Sequence, residues 1–339
     1  MAHATEQPFD RQDINEHLLL FVDSSRTLAR MALVCPAWWR AARRSTGYRL
    51  RALTGHTDAV TAVVSLPGGL LASGSWDMAI KVWEVGTGRL VRTLQGKSAV
   101  TSLASLPGGL LASGLADTTV VIWEVATGQL VRTLRGHTYR VRVLTSLPDG
   151  LLASGSNDKT VKVWEVATGR LVWTLKGHTE MVYALASMPF SLTSLLASTS
   201  ADRWVKVWDM KTGRLVQALE GHASGVLALA SLPGGLLACG SLGSTVKVLD
   251  VVSRRQVQTL AGHTDSVRKL VSLPGGMLAS WSDDKTVNLW DVGAGQHMRT
   301  LEVHSGTGMA LVSLPGGLLA SGYDDGTVWV WRCADAVVQ

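Results

Sequence analysis

Serine, histidine and aspartate recur together in this chain at near-constant offsets. In a hydrolase these residue types would be the nucleophile, the general base and the acid that orients it. The sets are His56, Ser73, Asp77; His137, Ser154, Asp158; His178, Ser198, Asp202; His263, Ser280, Asp284; and His304, Ser321, Asp325. Each is followed by a tryptophan: Trp83, Trp164, Trp208, Trp290 and Trp331. One active site needs one triad, and no G-x-S-x-G elbow accompanies any of these serines. Equivalent sets at regular intervals describe buried polar rivets instead, Asp holding His, His holding the Ser hydroxyl, and Ser accepting from the indole N–H. A member left without its partner costs on the order of 1–3 kcal/mol, so such a set stays together. No unmatched His, Asp or Glu cluster remains to suggest a metal or a cofactor, and no catalytic residue is expected.

The elements that place these residues are repeats. The run from Ser65 to Ser75, SLPGGLLASGS, returns at Ser105, Ser146, Ser231, Ser272 and Ser313, and in stretched form at Ser187. Counted at Trp83, Trp123, Trp164, Trp208, Leu249, Trp290 and Trp331, the spacings are 40, 41, 44, 41, 41 and 41 residues. A fixed period of this size marks a supersecondary unit that buries its apolar faces only against its neighbours. Within the first copy the apolar runs Val60 to Val64, Leu70 to Ser73, Ile80 to Val85 and Leu90 to Leu94 are short and rich in β-branched residues, and read as strands a to d. Pro67-Gly68-Gly69 suits the a-to-b turn, because proline presets φ at one corner and glycine accepts positive φ at the next. Four short strands in about 40 to 45 residues make a propeller blade. The fold class expected is all-β, a seven-bladed propeller preceded by a small three-helix N-terminal segment.

At the tetrad residues and the Gly-His pairs that open the copies at His56, His137, His178, His222 and His263, the chain resembles the WD-repeat β-propeller family, over roughly Arg49 to Arg332. Two copies depart from the pattern. The second has Lys97 in the histidine place, and the fifth keeps His222 but has Cys239, Gly243 and Leu249 in the other three, so blade 5 is expected to be the least tightly held. After Trp331 too few residues remain for a last strand d. Arg49 to Leu53 matches the d pattern and is read as the strand that completes blade 7, giving a propeller over 49–332 and a tail over 333–339. The turns carrying His and Asp must share one face, here called the top.

Residues 1–48 carry no repeat, and their apolar residues fall at helical spacing: Leu18, Leu19, Val22; Leu28, Met31, Ala32, Cys35; Trp38, Trp39, Ala42. Leu18 to Ala42 resembles an F-box, on Leu28, Ala32 and the Val34-Cys35-x-x-Trp38 pattern, although the usual Leu-Pro entry is replaced by Asp13-Ile14-Asn15-Glu16. The resemblance implies that Leu18, Leu19, Leu28, Val34, Cys35 and Trp38 contact the adaptor subunit of a cullin-based ubiquitin ligase. The other reading of the same side chains is a helical cap, which leaves the protein a general WD-repeat scaffold.

Family resemblance also places partner binding on the top face beside the central channel, at two positions per blade. Five residues after the histidine place stand Thr61, Ser102, Arg142, Tyr183, Leu227, Arg268 and Met309. One residue before the Asp place stand Trp76, Ala116, Asn157, Ala201, Leu242, Asp283 and Asp324. Arg142, Tyr183 and Trp76, with Tyr139, Arg140, Asn157 and Arg268, are the candidate contacts for a protein or peptide substrate, because planar donors and aromatics supply hot spots. Ordinary solvated surface is the plain alternative for any one of them. In phosphate-reading F-box relatives arginines at these positions grip phosphate, but Asp283 and Asp324 make this set mixed in charge.

Composition excludes several classes. The three cysteines, Cys35, Cys239 and Cys333, form no disulfide framework, which points to a reducing compartment, cytoplasmic or nuclear. No apolar run reaches the ~18 residues of a membrane helix, and the N-terminus does not read as a secretion signal. Net charge is +6, of which residues 1–50, with seven Arg against five acidic residues, supply +2. The dense basic run Arg40, Arg43, Arg44, Arg49, Arg51 reads as a solvated helix end and linker or as a contact for an acidic partner, and no nucleic acid is expected.

Overall fold

A computed structural model describes residues 48–189, 194–302 and 307–332, and these form seven four-stranded antiparallel sheets. In blade 1 the strands are a, Val60–Leu66; b, Leu70–Ser75; c, Ala79–Glu84; and d, Leu90–Gln95, each end within two residues of the runs read from the sequence. Gly68 and Gly69 have φ of 75° and 73°, with nothing near a Cβ built on either, so backbone angle and not crowding demands glycine in this turn. Among the described residues there is no α-helix, and single 3₁₀ turns occur at Pro107–Gly109, Pro233–Gly235 and Pro274–Gly276. The three-helix segment, with Leu18, Leu19, Leu28, Val34, Cys35 and Trp38, lies outside the described residues, as do His304 and the tail 333–339.

Closure follows from which strands touch. Each strand a lies against the strand a of the blades before and after it, and blade 1 meets blade 7 in the same way, so the seven first strands wall a central space. The sheet of blade 7 runs in the order Tyr48–Leu53, Val328–Arg332, Leu318–Tyr323, Gly308–Leu314. Its outer strand thus comes from the beginning of the propeller sequence, with Leu53 opposite Val328 and 1 % exposed.

The blades pack through one repeated fit. Strand b carries glycine where the first valine of the next strand a presses in. A Cβ on Gly74 would stand 2.4 Å from Val100 Cγ1, and Gly155, Gly240 and Gly322 meet Val182, Val267 and Val60 at 2.6, 2.7 and 2.6 Å. Between blades 6 and 7 the sizes are exchanged. Trp281 fills the glycine place, and the facing residue is Gly308, on which a Cβ would lie 1.6 Å from the indole.

A second set of ties joins strand d of one blade to the c-to-d turn of the next. Arg51 Nη1 donates to Gly86 O at 3.0 Å, Arg92 Nη1 to Thr127 O at 2.7 Å, Arg132 Nη2 to Ala167 O at 2.8 Å, and Trp173 Nε1 to Met210 O at 3.3 Å. The seam between blades 4 and 5 is the weak one. In the tie position stands Gln217, whose buried Nε2 has no partner, and in the glycine place stands Thr199, whose buried hydroxyl has none. Unmet buried donors of this kind each cost on the order of 1–3 kcal/mol. Blade 5 also lacks its tetrad. Amide hydrogen exchange should therefore be fastest, among equivalent strands, in Leu236–Ser241 and Thr245–Asp250. Uniform protection across the blades would contradict this ranking.

Candidate functional site

Four of the Ser-His-Asp sets are assembled in full. His56 Nδ1 meets Asp77 Oδ2 at 2.7 Å, its Nε2 meets Ser73 Oγ at 2.8 Å, and Trp83 Nε1 donates to that oxygen at 2.8 Å. The sets of His137, His178 and His263 repeat these contacts at 2.7–2.9 Å. Ser73, Ser154, Ser198 and Ser280 are all 0 % exposed, and each hydroxyl oxygen already accepts an indole N–H. A nucleophile must reach its substrate, and these are sealed beneath the histidine. In blade 7, Trp331 Nε1 donates to Ser321 Oγ at 2.6 Å, and Ser321 bonds the buried Tyr323 hydroxyl at 2.9 Å. Asp325 caps its own turn by accepting from Thr327. In blade 5, His222 Nε2 donates to Cys239 O at 3.0 Å in place of a serine.

Protonation of the His56 and His178 sets follows their burial. Burial lowers the pKa of His56 and of His178 below the ordinary histidine value, against the pull of Asp77 and Asp202. Burial alone would raise the pKa of Asp77 and Asp202, but hydrogen bonds from the histidines and from backbone N–H groups outweigh it and hold both carboxyls low. Both shifts act in one direction on stability. A histidine whose folded pKa is depressed binds fewer protons folded than unfolded, so stability is complete above the unfolded value near 6.5 and falls as pH drops below it. The depressed carboxylates add a second loss as pH falls below their unfolded value near 3.8. The melting temperature should be level above pH 7 and should decline through pH 6 and again below pH 4. A rise on acidification from pH 7 to 5 would overturn this assignment of proton states.

The described tetrads position the top face above them. One residue in each strand a is bulged out of the ladder, which re-aims its side chain. The bulges fall at Thr61, Arg142, Tyr183, Leu227, Arg268 and Met309, as the spacing from histidine predicts, but in blade 2 the bulge is Thr101 and not Ser102. That copy is one residue shorter before its strand a, which shifts the count. Thr61 Oγ1 donates to Val100 O of the next blade at 2.5 Å, and Thr101 makes the same tie to Val141 O. Ser102 Oγ accepts from Leu144 N at 2.9 Å. These hydroxyls are spent on joining blades.

Planar donors and aromatic rings stand at the other positions. Arg142 Nε donates to Asn157 Oδ1 at 2.6 Å, and its guanidinium lies 4.8 Å from the Tyr183 ring centre. Arg140 reaches from blade 3 to within 6.0 Å of the Trp76 ring of blade 1, across a blade 2 that presents only Ala116 at the equivalent place. Trp76 and Tyr139 are 42 % and 63 % exposed, large aromatic surfaces left to solvent beside arginines. Arg268 is bound to Asp283, Nη2 to Oδ2 at 2.6 Å. The face therefore holds two arginine–aromatic pairs and one neutralised arginine.

Sequence reasoning missed Lys269. It takes the place that Ala62, Ala184, Ala228 and Ala310 hold in other blades, next to the bulged Arg268. Lys269 is exposed to solvent on strand a of blade 6, beside the bulged Arg268. Its strand is one of the seven that wall the central space. The available signal was a lysine beside a bulge, where four of its six counterparts are alanines. Among the described residues no grouping of His, Cys, Asp and Glu is arranged to hold a metal, and no helix is long and apolar enough to cross a membrane.

Comparison with protein families matches the WD domain, G-beta repeat, seven times, at residues 47–84, 88–124, 128–165, 169–209, 213–250, 254–291 and 295–332. No curated protein matches the chain.

Proposed function

From a chain that belongs to the WD domain, G-beta repeat family, and so has the fold of a protein-interaction scaffold, we propose a receptor without chemistry of its own. It is the substrate-recognition subunit of a cullin-RING ubiquitin ligase, working in the cytoplasm or nucleus. The top face takes the protein substrate. The F-box-like residues Leu28, Val34, Cys35 and Trp38, with Leu18 and Leu19, take the ligase adaptor. The observation that carries the substrate half is the pair of arginine–aromatic contacts, Arg140 on Trp76 and Arg142 on Tyr183, beside the exposed Tyr139. The adaptor half rests on the sequence of Leu18 to Ala42 alone.

Direct binding of purified adaptor to the full chain tests the ligase reading. Wild type should bind, while Leu28→Asp and Trp38→Ala should each weaken binding by tenfold or more, as expected for an anchor worth about 1.4 kcal/mol or above. Equal binding by both variants, or none by wild type, leaves the general scaffold reading. For the top face, Trp76→Ala and Tyr139→Ala should reduce recovery of the substrate captured by wild type without lowering the melting temperature. Undiminished recovery would place the contact surface elsewhere.

A further inference from the structure

We propose that the outer rim of the seam between blades 4 and 5, at its c-to-d turns, is a docking surface for an acidic polypeptide segment that also carries aliphatic side chains. Arg214, Arg254 and Arg255 receive its carboxylates, and Val252 and Val216 its apolar groups. In an antiparallel sheet the c-to-d turns lie at the end away from the b-to-c turns that carry Asp, so this surface is separate from the top face and does not depend on it.

Uncompensated charge singles out these two turns. In blades 1 and 3 the arginine that ends the turn has a carboxylate of its own, Arg89 meeting Glu84 at 3.7 Å and Arg170 meeting Glu165 at 3.5 Å. In blades 2 and 6 glutamine stands there, at Gln129 and Gln296. In blades 4 and 5 the shorter Asp209 and Asp250 accept from their own turns, from Lys211 N and Thr212 Oγ1 in one and from Val252 N and Ser253 N in the other. Among the described residues Arg214, Arg254 and Arg255 form no ion pair, and all three are exposed.

Arg254 also breaks the backbone rule of the turn. Its place is glycine in the other five c-to-d turns, Gly88, Gly128, Gly169, Gly213 and Gly295, with φ of 66–79°, and Arg254 itself holds φ at 61°. A Cβ on those glycines would stand 2.3, 3.0, 2.5, 2.5 and 1.9 Å from Arg51, Arg92, Arg132, Trp173 and Gln258, the tie residues of the preceding blades. In blade 5 that Cβ is present, and the tie residue it faces is Gln217, whose buried Nε2 has no partner. Arg254 thus carries a left-handed backbone that disfavours any side chain and leaves a seam untied, while its guanidinium makes no hydrogen bond within the described fold. A residue held against its own backbone preference points to a use outside packing.

The apolar part of the surface adjoins the charges. Val252, two residues before Arg254, is 75 % exposed, more than any other large hydrophobic residue described. Val216 is bulged out of the ladder beside Gln217 and is 50 % exposed. Exposed valines recur at this bulge, at Val91 and Val131, so only the free arginines set this seam apart. The apolar groups here are aliphatic and offer nucleic-acid bases no ring to stack on. Asp209 and Asp250 at the foot of the turns repel a continuous array of phosphates, in a nucleic acid or a lipid surface, whereas a peptide can set separate carboxylates on the arginines and aliphatic groups between them. Charge complementarity therefore selects an acidic polypeptide.

Random peptides displayed on phage, selected on the full chain and on its Arg254→Gly and Arg255→Gln variants, read the surface without a known partner. Sequences enriched on wild type and lost on both variants should combine Asp or Glu with Leu, Ile or Val. One such peptide, synthesised, should bind each arginine variant and Val252→Ser about tenfold or more weaker than wild type, the loss of one anchor apiece. Arg89→Gln, which removes an arginine already paired in blade 1, should leave its Kd unchanged. Arg254→Gly should also melt above wild type, because glycine reopens the space in which Gln217 makes its tie. No differential sequences, differential sequences without acidic residues, or an effect of Arg89→Gln as large as that of Arg255→Gln would each overturn the proposal. So would tighter binding of a single-stranded oligonucleotide or of phosphatidylserine vesicles than of the peptide, or melting of Arg254→Gly at or below wild type.

Discussion

A chain lacking residues 1–54 should melt about 10 °C or more below the full-length protein, and a chain lacking residues 1–44 should melt with it. The difference is one strand. Tyr48–Leu53 is the outer strand of blade 7, in register with Val328–Arg332, and its Leu53 is 1 % exposed within the apolar cluster of Val60, Leu71, Val328 and Val330. Removing it exposes the edge of Val328–Arg332 and unseats a fully buried leucine worth about 1.5–3 kcal/mol. It also removes Arg51 and its tie to Gly86 O in blade 1. Together with the lost ladder these come to on the order of 5 kcal/mol, which at roughly 2 °C per kcal/mol for a domain of this size gives the stated shift. The effect is larger than for an edge strand in an open sheet, because this strand bonds chain beginning to chain end. Calorimetry of the two truncations is the check, and coincident melting of both would refute a closing strand.

Gly308→Val should be the most damaging single substitution in the interior, and Trp281→Gly should rescue it. In five described seams glycine faces valine, and in this one tryptophan faces glycine. A Cβ on Gly308 would lie 1.6 Å from Trp281 Cζ2, a clash that no rotamer of the new side chain relieves, because the Cβ itself is the offending atom. Trp281 is 2 % exposed and packed edge-on to Tyr323 at 5.5 Å, so it has little room to retreat. Overpacking of this kind costs about 3 kcal/mol or more, and Trp281→Gly alone leaves a cavity costing about 3–5 kcal/mol. The double variant restores the glycine–valine pair of the other seams, so its loss should fall well short of the sum of the single losses, a coupling of about 3 kcal/mol. Chemical denaturation of the four proteins measures the cycle. Additive losses would mean that the two residues do not share a seam.

Much of this architecture was readable in advance because each blade states it again. The strand limits, the Pro-Gly-Gly turns and the described tetrads follow from local spacing, and local spacing is conserved between copies of one chain whenever the same unit must pack against itself. The bulge in blade 2 shows where counting fails. A deletion before strand a moved it from Ser102 to Thr101, and only the ladder, Val100 to Leu115 and Ser102 to Gly114, reveals the slip. The weakness of blade 5 was visible in Cys239, Gly243 and Leu249, but the unmet groups on Thr199 and Gln217 were not, since both belong to blade 4 and their deficits arise against its neighbour.

By itself, then, the amino-acid order determined the unit, its number of copies, its riveted serines and the strand that completes the last sheet, because all of these are properties of a period. Tertiary structure alone decided what faces what across a seam or across the ring. The match of Trp281 to Gly308, and the approach of Arg140 to Trp76 from two blades away, depend on how the blades pack around the ring, which brings together residues that no repeat length relates.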